Sequence, residues 1–487
     1  MAVDSSSMEM DRRSQIRLLV IGGVLSFTSI FQMGYATAYP NTSIDTFRDF
    51  LNVTTKEYGL ELTDAKFSWL WSALLDTWFI GFSIGSCLSP IIADRIGRKS
   101  GLLVGNIANT ISALISFLGI LFNSIIAFTL SRLFFSLSAA ISMNSLILLL
   151  QESSPVSMRG LMSFYAEMAF VVTNLVGGMA GMRSLLGTNL HLLTGVAVIV
   201  SALSVLVVIP VAESPIFLLE KRNDREKAEK ATYFYQRIKP NKENKTQLEE
   251  SNEREGNGSL KELLSTPHLR KGFLLGLCAL QIAVSIWPIV FFSTEFLRRT
   301  GIDGELSELI STIMLFVSTL CTCVGMILVE KIARRTLLIS TACVNLGALL
   351  LFVISAELTP IYQSANIGCI VAVMMHGGSY SVGLGPIAWF LISELMPLRV
   401  RAIAQSLALA TNQTIALLLV AITLPLYDQI GAWTILILFV FPGVLCFFII
   451  WRHLPETRAR SIDEVIQSLK GAPRDFVAVE LASPRKQ

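Results

Sequence analysis

Apolar runs of about 20 residues recur along nearly the whole of this 487-residue chain. At 1.5 Å per residue, each run can cross the ~30 Å hydrocarbon layer of a bilayer as one α-helix. No other feature constrains the fold so tightly. Inside lipid the backbone must satisfy its own polar groups, so only helices or closed barrels can span it. A barrel would be written as alternating segments of about ten residues, and this sequence is not written that way. Composition agrees: 53% of residues are hydrophobic and 15% charged, whereas a soluble chain carries about a quarter charged. The expected class is an all-α membrane protein.

Twelve spans are expected, at 17–39, 68–93, 101–122, 124–150, 160–182, 190–211, 270–297, 306–329, 335–356, 365–393, 401–424 and 430–451. The separation of the third from the fourth rests on Asn123-Ser124 alone. Lys and Arg gather in the connectors 94–100, 151–159, 330–335 and 394–401, while those near 123, 357–364 and 425–429 have neither. The positive-inside rule then makes the basic connectors, and both termini, cytoplasmic. The segment 40–66 becomes external. Its triplet Asn52-Val53-Thr54 makes Asn52 the expected glycosylation acceptor, while a second triplet at Asn41 sits closer to the membrane. The N-terminal tail ends in Arg12, Arg13 and Arg17 and leads into a full-length span, so no cleavable signal peptide is expected. All seven cysteines lie in apolar runs, which predicts packing roles and neither a disulfide framework nor a zinc site.

The segment 212–268 is dense in Lys, Glu, Arg and Asn and reads as a cytoplasmic linker, with a helical piece at 220–237 and a mobile middle. The plan is therefore a tail at 1–16, a six-helix bundle at 17–211, the linker at 212–268, a second six-helix bundle at 269–451 and a tail at 452–487. The two bundles share sequence. Glu152, Pro155, Arg159 and Gly160 after the fourth span match Glu394, Pro397, Arg401 and Ala402 after the tenth. Asp94-Arg95-Ile96-Gly97-Arg98-Lys99 after the second matches Glu330-Lys331-Ile332-Ala333-Arg334-Arg335 after the eighth. Glu213-Ser214-Pro215 after the sixth answers Pro455-Glu456-Thr457 after the twelfth. Three matches in one order indicate a duplicated six-helix unit, as in transporters built of two halves.

With these motifs, together with Val382–Leu395 and with Arg132 standing 20 residues before Glu152, the chain resembles the sugar porters of the major facilitator superfamily. Among them it most resembles the animal facilitative glucose transporters. The resemblance covers about residues 15–468 and implies two pseudo-symmetric six-helix bundles working by alternating access. It implies that Asp94, Arg98, Glu152, Arg159, Glu330, Arg334, Arg335, Glu394 and Arg401, with Arg95 beside them, form cytoplasmic salt bridges. Such pairs would clamp the halves in one state and release them in the other, a bistable latch. One departure is Pro90, where the family has glycine. It is expected to kink the second span and disturb the close helix approach there.

The resemblance also implies where a sugar would bind, since hydroxyls need donors and acceptors and sugar faces stack on aromatic rings. Gln281 in the seventh span, Trp389 in the tenth and Asn412 in the eleventh match the family. Other positions are changed: the family's second glutamine is Ile282, its glycine Ser285, its asparagine Trp287, and its hydroxylated aromatic pair Phe291-Phe292. Glu167 replaces a glutamine, Ser318 an asparagine, Ser381 a glutamate and Gln413 a tryptophan. The substrate-binding set is therefore Gln281, Trp389, Asn412, Glu167, Trp287, Gln413 and Ser285. A site that loses amides loses affinity for polyols, and Ile282, Trp287, Phe291 and Phe292 make it more apolar.

Three ionisable residues lie within spans: Asp76, Arg132 and Glu167. Intramembrane charges are functional candidates. Asp76 and Arg132 each sit about eight residues, roughly 12 Å, from the outer ends of their helices, a matched depth that suits a pair; the alternative leaves Asp76 alone in a polar cavity. For Glu167 three roles fit: binding a cationic or hydroxylated solute, taking a proton, or touching a neighbouring helix. His191, His268, His376 and His453 have no ligand spacing, so no metal is expected; His376 reads as packed, or as lining the path. Gly383-Leu384-Gly385-Pro386 reads as a bend in the tenth span.

No cofactor, enzymatic activity or nucleic-acid partner is expected; the partners are a small solute and the bilayer. The function expected is facilitative transport of a small solute, a hexose on the resemblance, with a less polar or ionic organic solute as the alternative. A non-transporting nutrient sensor or interaction protein is the reading from another class. Proton symporters of the family carry an acid in the first span, where this chain has Ala36, which favours uniport.

Overall fold

The computed structural model describes residues 11–470 apart from 58, 60, 156–157, 238–258, 459 and 461. Among the described residues every regular element is helical. The spans are Arg12–Thr42, Asp64–Ile96, Arg98–Leu121, Ile125–Ser153, Arg159–Ala180, Leu190–Val208, then Pro267–Ala283 with Ile286–Arg299, Gly304–Lys331, Arg334–Leu358, Asn366–Leu395 in three pieces, Leu398–Ile430, and Trp433–His453 in three pieces. Eleven are long and apolar enough to cross a bilayer; the fifth contributes a shorter apolar stretch, Phe164–Ala180. The narrow boundary between the third and fourth is a real turn. Asn123 takes φ 51°, a conformation asparagine tolerates, and Ser124 caps the fourth span by accepting from Ala127 N at 3.3 Å.

Three spans break in the turn before a proline. Pro288 follows the junction at Val284-Ser285, Pro386 follows a π-helical turn at Tyr380–Leu384, and Pro442 follows one at Leu436–Val440. Proline cannot donate to the carbonyl four residues back and its ring crowds that carbonyl, so the preceding turn must re-route its hydrogen bonds. Pro90 and Pro425, by contrast, lie inside continuous helices. Pro90 is exposed on its helix. Five residues earlier and on another face, a Cβ on Gly85 would stand 2.2 Å from Leu137 O, so the second and fourth spans touch backbone to backbone there.

The chain divides into two compact units, Met1–Ser251 and Asn252–Gln487. In the first, the first and fifth spans approach as closely: a Cβ on Gly34 would lie 2.6 Å from Phe170 O, and one on Gly177 2.4 Å from Tyr35 O. Hydrogen bonds between spans add direction where lipid supplies no hydrophobic drive. Asn106 Nδ2 donates to Ser29 Oγ at 3.0 Å, Ser138 Oγ to Asn109 Oδ1 at 2.6 Å and Asn109 Nδ2 to Ser142 Oγ at 3.2 Å. In the second unit, one apolar core joins the seventh, ninth, tenth and eleventh spans, with Ile450 of the twelfth and Val465 and Leu469 of the helix Ile462–Lys470.

The linker's expected helical piece is two helices, Pro215–Glu220 and Arg225–Gln236. Asp224 caps the latter, accepting from Lys227 N at 3.1 Å. The hydrogen bond from the Lys227 side chain holds its carboxyl below the ordinary range. The expected mobile middle of the linker falls mostly on 238–258, outside the described residues. In the segment 40–66, read above without structure, a helix runs over Ile44–Glu57 and buries Phe47, Phe50, Leu51 and Thr54, a helical stripe. Asn52 is exposed on it, while Asn41 is buried within the first helix.

Candidate functional site

The breaks in the seventh and tenth spans create a recess in the second unit. Leu280, Ala283, Val284, Trp287, Tyr380, Trp389 and Asn412 line it. It leaves no room for even a water molecule, far short of the ~300–1,000 Å³ of ligand pockets, so its walls are closed on each other in this conformation. Trp389 Nε1 donates to Tyr380 OH at 3.4 Å, and Gln405 Nε2 holds the Trp389 carbonyl at 2.8 Å. Three of the expected binding residues therefore meet here: Trp287, Trp389 and Asn412. Tyr380 was missed by sequence reasoning. Its only signal is its place in the turn before Gly383-Leu384-Gly385-Pro386.

The other expected positions lie outside this lining. Gln281 is half-buried one residue from Leu280. Gln413 is 6% exposed and its Oε1 has no hydrogen-bond partner, so it holds a polar atom in reserve beside Asn412. Ser285 sits at the junction of the two helices of the seventh span and meets His376. Ile282, Phe291 and Phe292 are core residues, 2%, 1% and 0% exposed; of the apolar replacements, only Trp287 faces the recess. Glu167, in the first unit, is half-buried and has no hydrogen bond or ion pair among the described residues.

The expected pairing of Asp76 with Arg132 does not form, and helix rotation is the reason. The face of the second span that meets the fourth carries Trp78, 5.5 Å from Phe135, and Gly85. At 100° per residue Asp76 points about 160° from Trp78 and about 180° from Gly85. Its Oδ1 is buried without a partner. Arg132 instead donates to Ala36 O at 3.4 Å and lies beside Tyr39. Matched depth was legible in the sequence; the opposed faces required the packing.

The basic connectors build the same junction twice. In the first unit Arg98 reaches Glu152 at 2.9 Å and Asp94 at 3.3 Å, and Ser214 donates to the other Glu152 oxygen. Glu213 accepts from Lys99 N at 2.7 Å and Ser100 N at 3.4 Å, satisfying the first turn of the third span. In the second unit Arg334 pairs with Glu394, and Thr457 Oγ1 donates to Glu394 at 2.6 Å. Glu456 accepts from Arg334 N at 2.9 Å and Arg335 N at 3.1 Å. Of the residues expected to form a latch, Asp94, Arg98 and Glu152 thus pair within the first unit and Arg334 with Glu394 within the second. Arg335 donates to Trp451 O at 2.8 Å and Arg401 to Met396 O at 3.5 Å. Arg95 and Glu330 are exposed, and the Arg159 side chain lies outside the described residues.

A family model described as sugar (and other) transporter matches residues 22–469. The chain belongs to the sugar transporter family. Members of this family are carriers rather than enzymes. The solute carrier family 2, facilitated glucose transporter member 3 of Canis lupus familiaris is 26% identical over 463 residues, 91% of either chain. Facilitated glucose transporter member 1 of Gallus gallus is 26% identical over 472 residues, 94% of either. The inward-open xylose transporter XylE from E. coli superposes with TM-score 0.73 at 19% identity, over 92% of this chain and 99% of that one. The nucleoside transporter NupG superposes at 0.59 with 12% identity, over 90% of this chain and 100% of that one. The fold is accordingly the major facilitator fold, all-α, with twelve transmembrane helices in two pseudo-symmetric six-helix bundles.

Proposed function

We propose that this sugar transporter family member is a facilitative uniporter that moves a hexose or related carbohydrate down its gradient by alternating access. The reading is carried by the recess: Trp389 and Asn412, matched to the family in sequence, meet in space beside Trp287, inside a chain whose relatives are named facilitated glucose transporters. Trp389 offers a stacking face and Asn412 a two-way hydrogen-bonding amide; Gln281 and Gln413 add amides in the same unit, Ser285 supports the wall from behind against His376, and Glu167 is the first unit's own candidate for solute contact. Ala36 in the first span supports uniport. The bundles at 17–211 and 269–451 are the moving bodies, and the charged groups at their basic connectors, paired within each unit in this conformation, are the ones that would re-pair as the latch. The basic connectors support cytoplasmic termini, and the relatives suggest the plasma membrane.

A second reading rests on Trp287. It puts an indole on the wall where the family has an amide, which suits a less polar or ionic organic solute. Purified protein in proteoliposomes separates these readings. Hexose should stabilise the protein against heat and support counterflow, with flux unchanged by a proton gradient. Stabilisation and counterflow by a less polar solute, with no response to any hexose, would replace the first reading by the second. Flux that follows an imposed proton gradient would remove uniport.

A further inference from the structure

The seventh span is discontinuous at one point, Val284-Ser285, between the helices Pro267–Ala283 and Ile286–Arg299. Its backbone is weakly held there. Trp287 N reaches back to Val284 O at 3.2 Å and Ile289 N to Ser285 O at 3.4 Å, and Pro288 has no N–H to give. A side-chain bond spans the same point: Ser285 Oγ lies 3.0 Å from His376 Nε2 of the tenth span. Both residues are almost fully buried, Ser285 at 2% and His376 at 1% exposed. Inside an apolar span the imidazole has Ser285 as its one ring partner among the described residues, while Ser285 Oγ also donates to Ile282 O at 3.3 Å within its own span.

His376 is itself fixed. Its carbonyl accepts from Asn345 Nδ2 of the ninth span at 3.2 Å and from Ser379 Oγ at 3.1 Å, and Asn345 Nδ2 also donates to Ser379 Oγ at 3.1 Å. Three spans therefore meet at this residue, the seventh at its ring and the ninth at its backbone carbonyl. The residues flanking Ser285, Val284 and Trp287, line the recess, and so does Tyr380, one helical turn beyond His376. The Ser285–His376 bond thus joins the two walls of the recess from behind, touching neither its lining nor a solute.

We propose that His376 is a positioning residue for solute binding: through Ser285 it clamps the break in the seventh span and sets Trp287 and Val284 against Tyr380 and Trp389. The proposal deepens the reading of the recess as the solute site and rests on it. A bond that served only to pack helices would lower stability without altering recognition.

Hydrogen exchange over 284–292 in the purified full-length protein tests the clamp without any solute. Ser285→Ala and His376→Phe should each speed exchange there, the double variant should be no faster than either single, and His376→Gln, whose amide can still reach Ser285, should restore protection. In hexose flux the two disruptive variants should raise KM about tenfold, the weight of one buried hydrogen bond, with kcat affected far less, and His376→Gln should recover most of the loss. Unchanged exchange in both singles, or additive effects in the double, overturns the clamp. A fall in kcat and melting temperature with KM unmoved overturns the positioning role. If the wild type moves no hexose, the solute reading fails alone, and the exchange arm still decides the clamp.

Discussion

Gly97 and Ala333 occupy the same position in the two halves and have parted in conformation. Gly97 holds φ 113°, and a Cβ there would stand 2.3 Å from Glu213 Oε2. Ala333 holds φ −56° and ψ 125°, a conformation open to any residue, although Glu456 caps the helix after it just as Glu213 caps the helix after Gly97. Gly97→Ala should therefore cost about 1–3 kcal/mol of backbone strain, and Ala333→Gly under about 1 kcal/mol; thermal unfolding of the two purified variants should rank them in that order. The sequence shows a small residue at both positions, and only the dihedrals tell the obligatory one from the incidental one. The intramembrane charges teach the same lesson. A double-mutant cycle on Asp76→Asn and Arg132→Gln should return a coupling near zero, because the groups face apart, while Arg98→Gln with Glu152→Gln should return well over 0.5 kcal/mol. Comparable coupling in both cycles would contradict the geometry.

At the scale of the element, proline read in context was the most informative residue. Pro386 was legible as a site of bending, yet there, as at Pro288, the backbone opens in the turn before the proline, at Tyr380–Leu384 and Val284-Ser285, because the carbonyl that loses its donor lies four residues upstream. Pro90 shows that proline alone does not break a span. The helix Ile44–Glu57 was hidden because its buried stripe is short and lies among polar residues. A second element-level device went unread. At the end of Ile286–Arg299, Arg299 bridges Glu295, at 2.8 Å, and Asp428 of the eleventh span. The Glu295 side chain is only 7% exposed, whereas Arg298 approaches it at 4.0 Å with 37% of its own side chain exposed. Arg299→Gln strips a desolvated carboxylate of its main partner and should lower stability by about 2 kcal/mol. Arg298→Gln should stay within about 0.5 kcal/mol. Thermal midpoints that fall equally in the two variants would mean that the short bridge does not bear the load.

At the scale of the whole molecule, duplication made the chain readable. Glu152, Arg98 and Ser214 were paired with Glu394, Arg334 and Thr457 by offset alone, and in each unit the glutamate takes both the arginine and the hydroxyl. Repetition reveals what a single copy would hide, since a charged cluster met once has many explanations and one met twice at the same offsets has few. The proposed solute site has no such redundancy, because the residues lining the recess come from the seventh, tenth and eleventh spans of one half and are not repeated in the other. That is why Tyr380 escaped notice. Orientation in the membrane follows from the same charge asymmetry and can be tested on one side chain. Asn52 is exposed on the helix Ile44–Glu57, and Asn41 is 3% exposed inside the first helix. If the basic connectors are cytoplasmic, that helix faces the lumen of the secretory pathway during synthesis. Asn52 is then modified and Asn41 is not, because a glycan cannot be built on a buried amide. Expressed in a glycosylating cell, the protein should lose mass on glycosidase treatment; Asn52→Gln should abolish that shift and Asn41→Gln should leave it intact. A shift that survives Asn52→Gln would move the modified site elsewhere, and glycan on a cytoplasmically assigned connector would invert the topology.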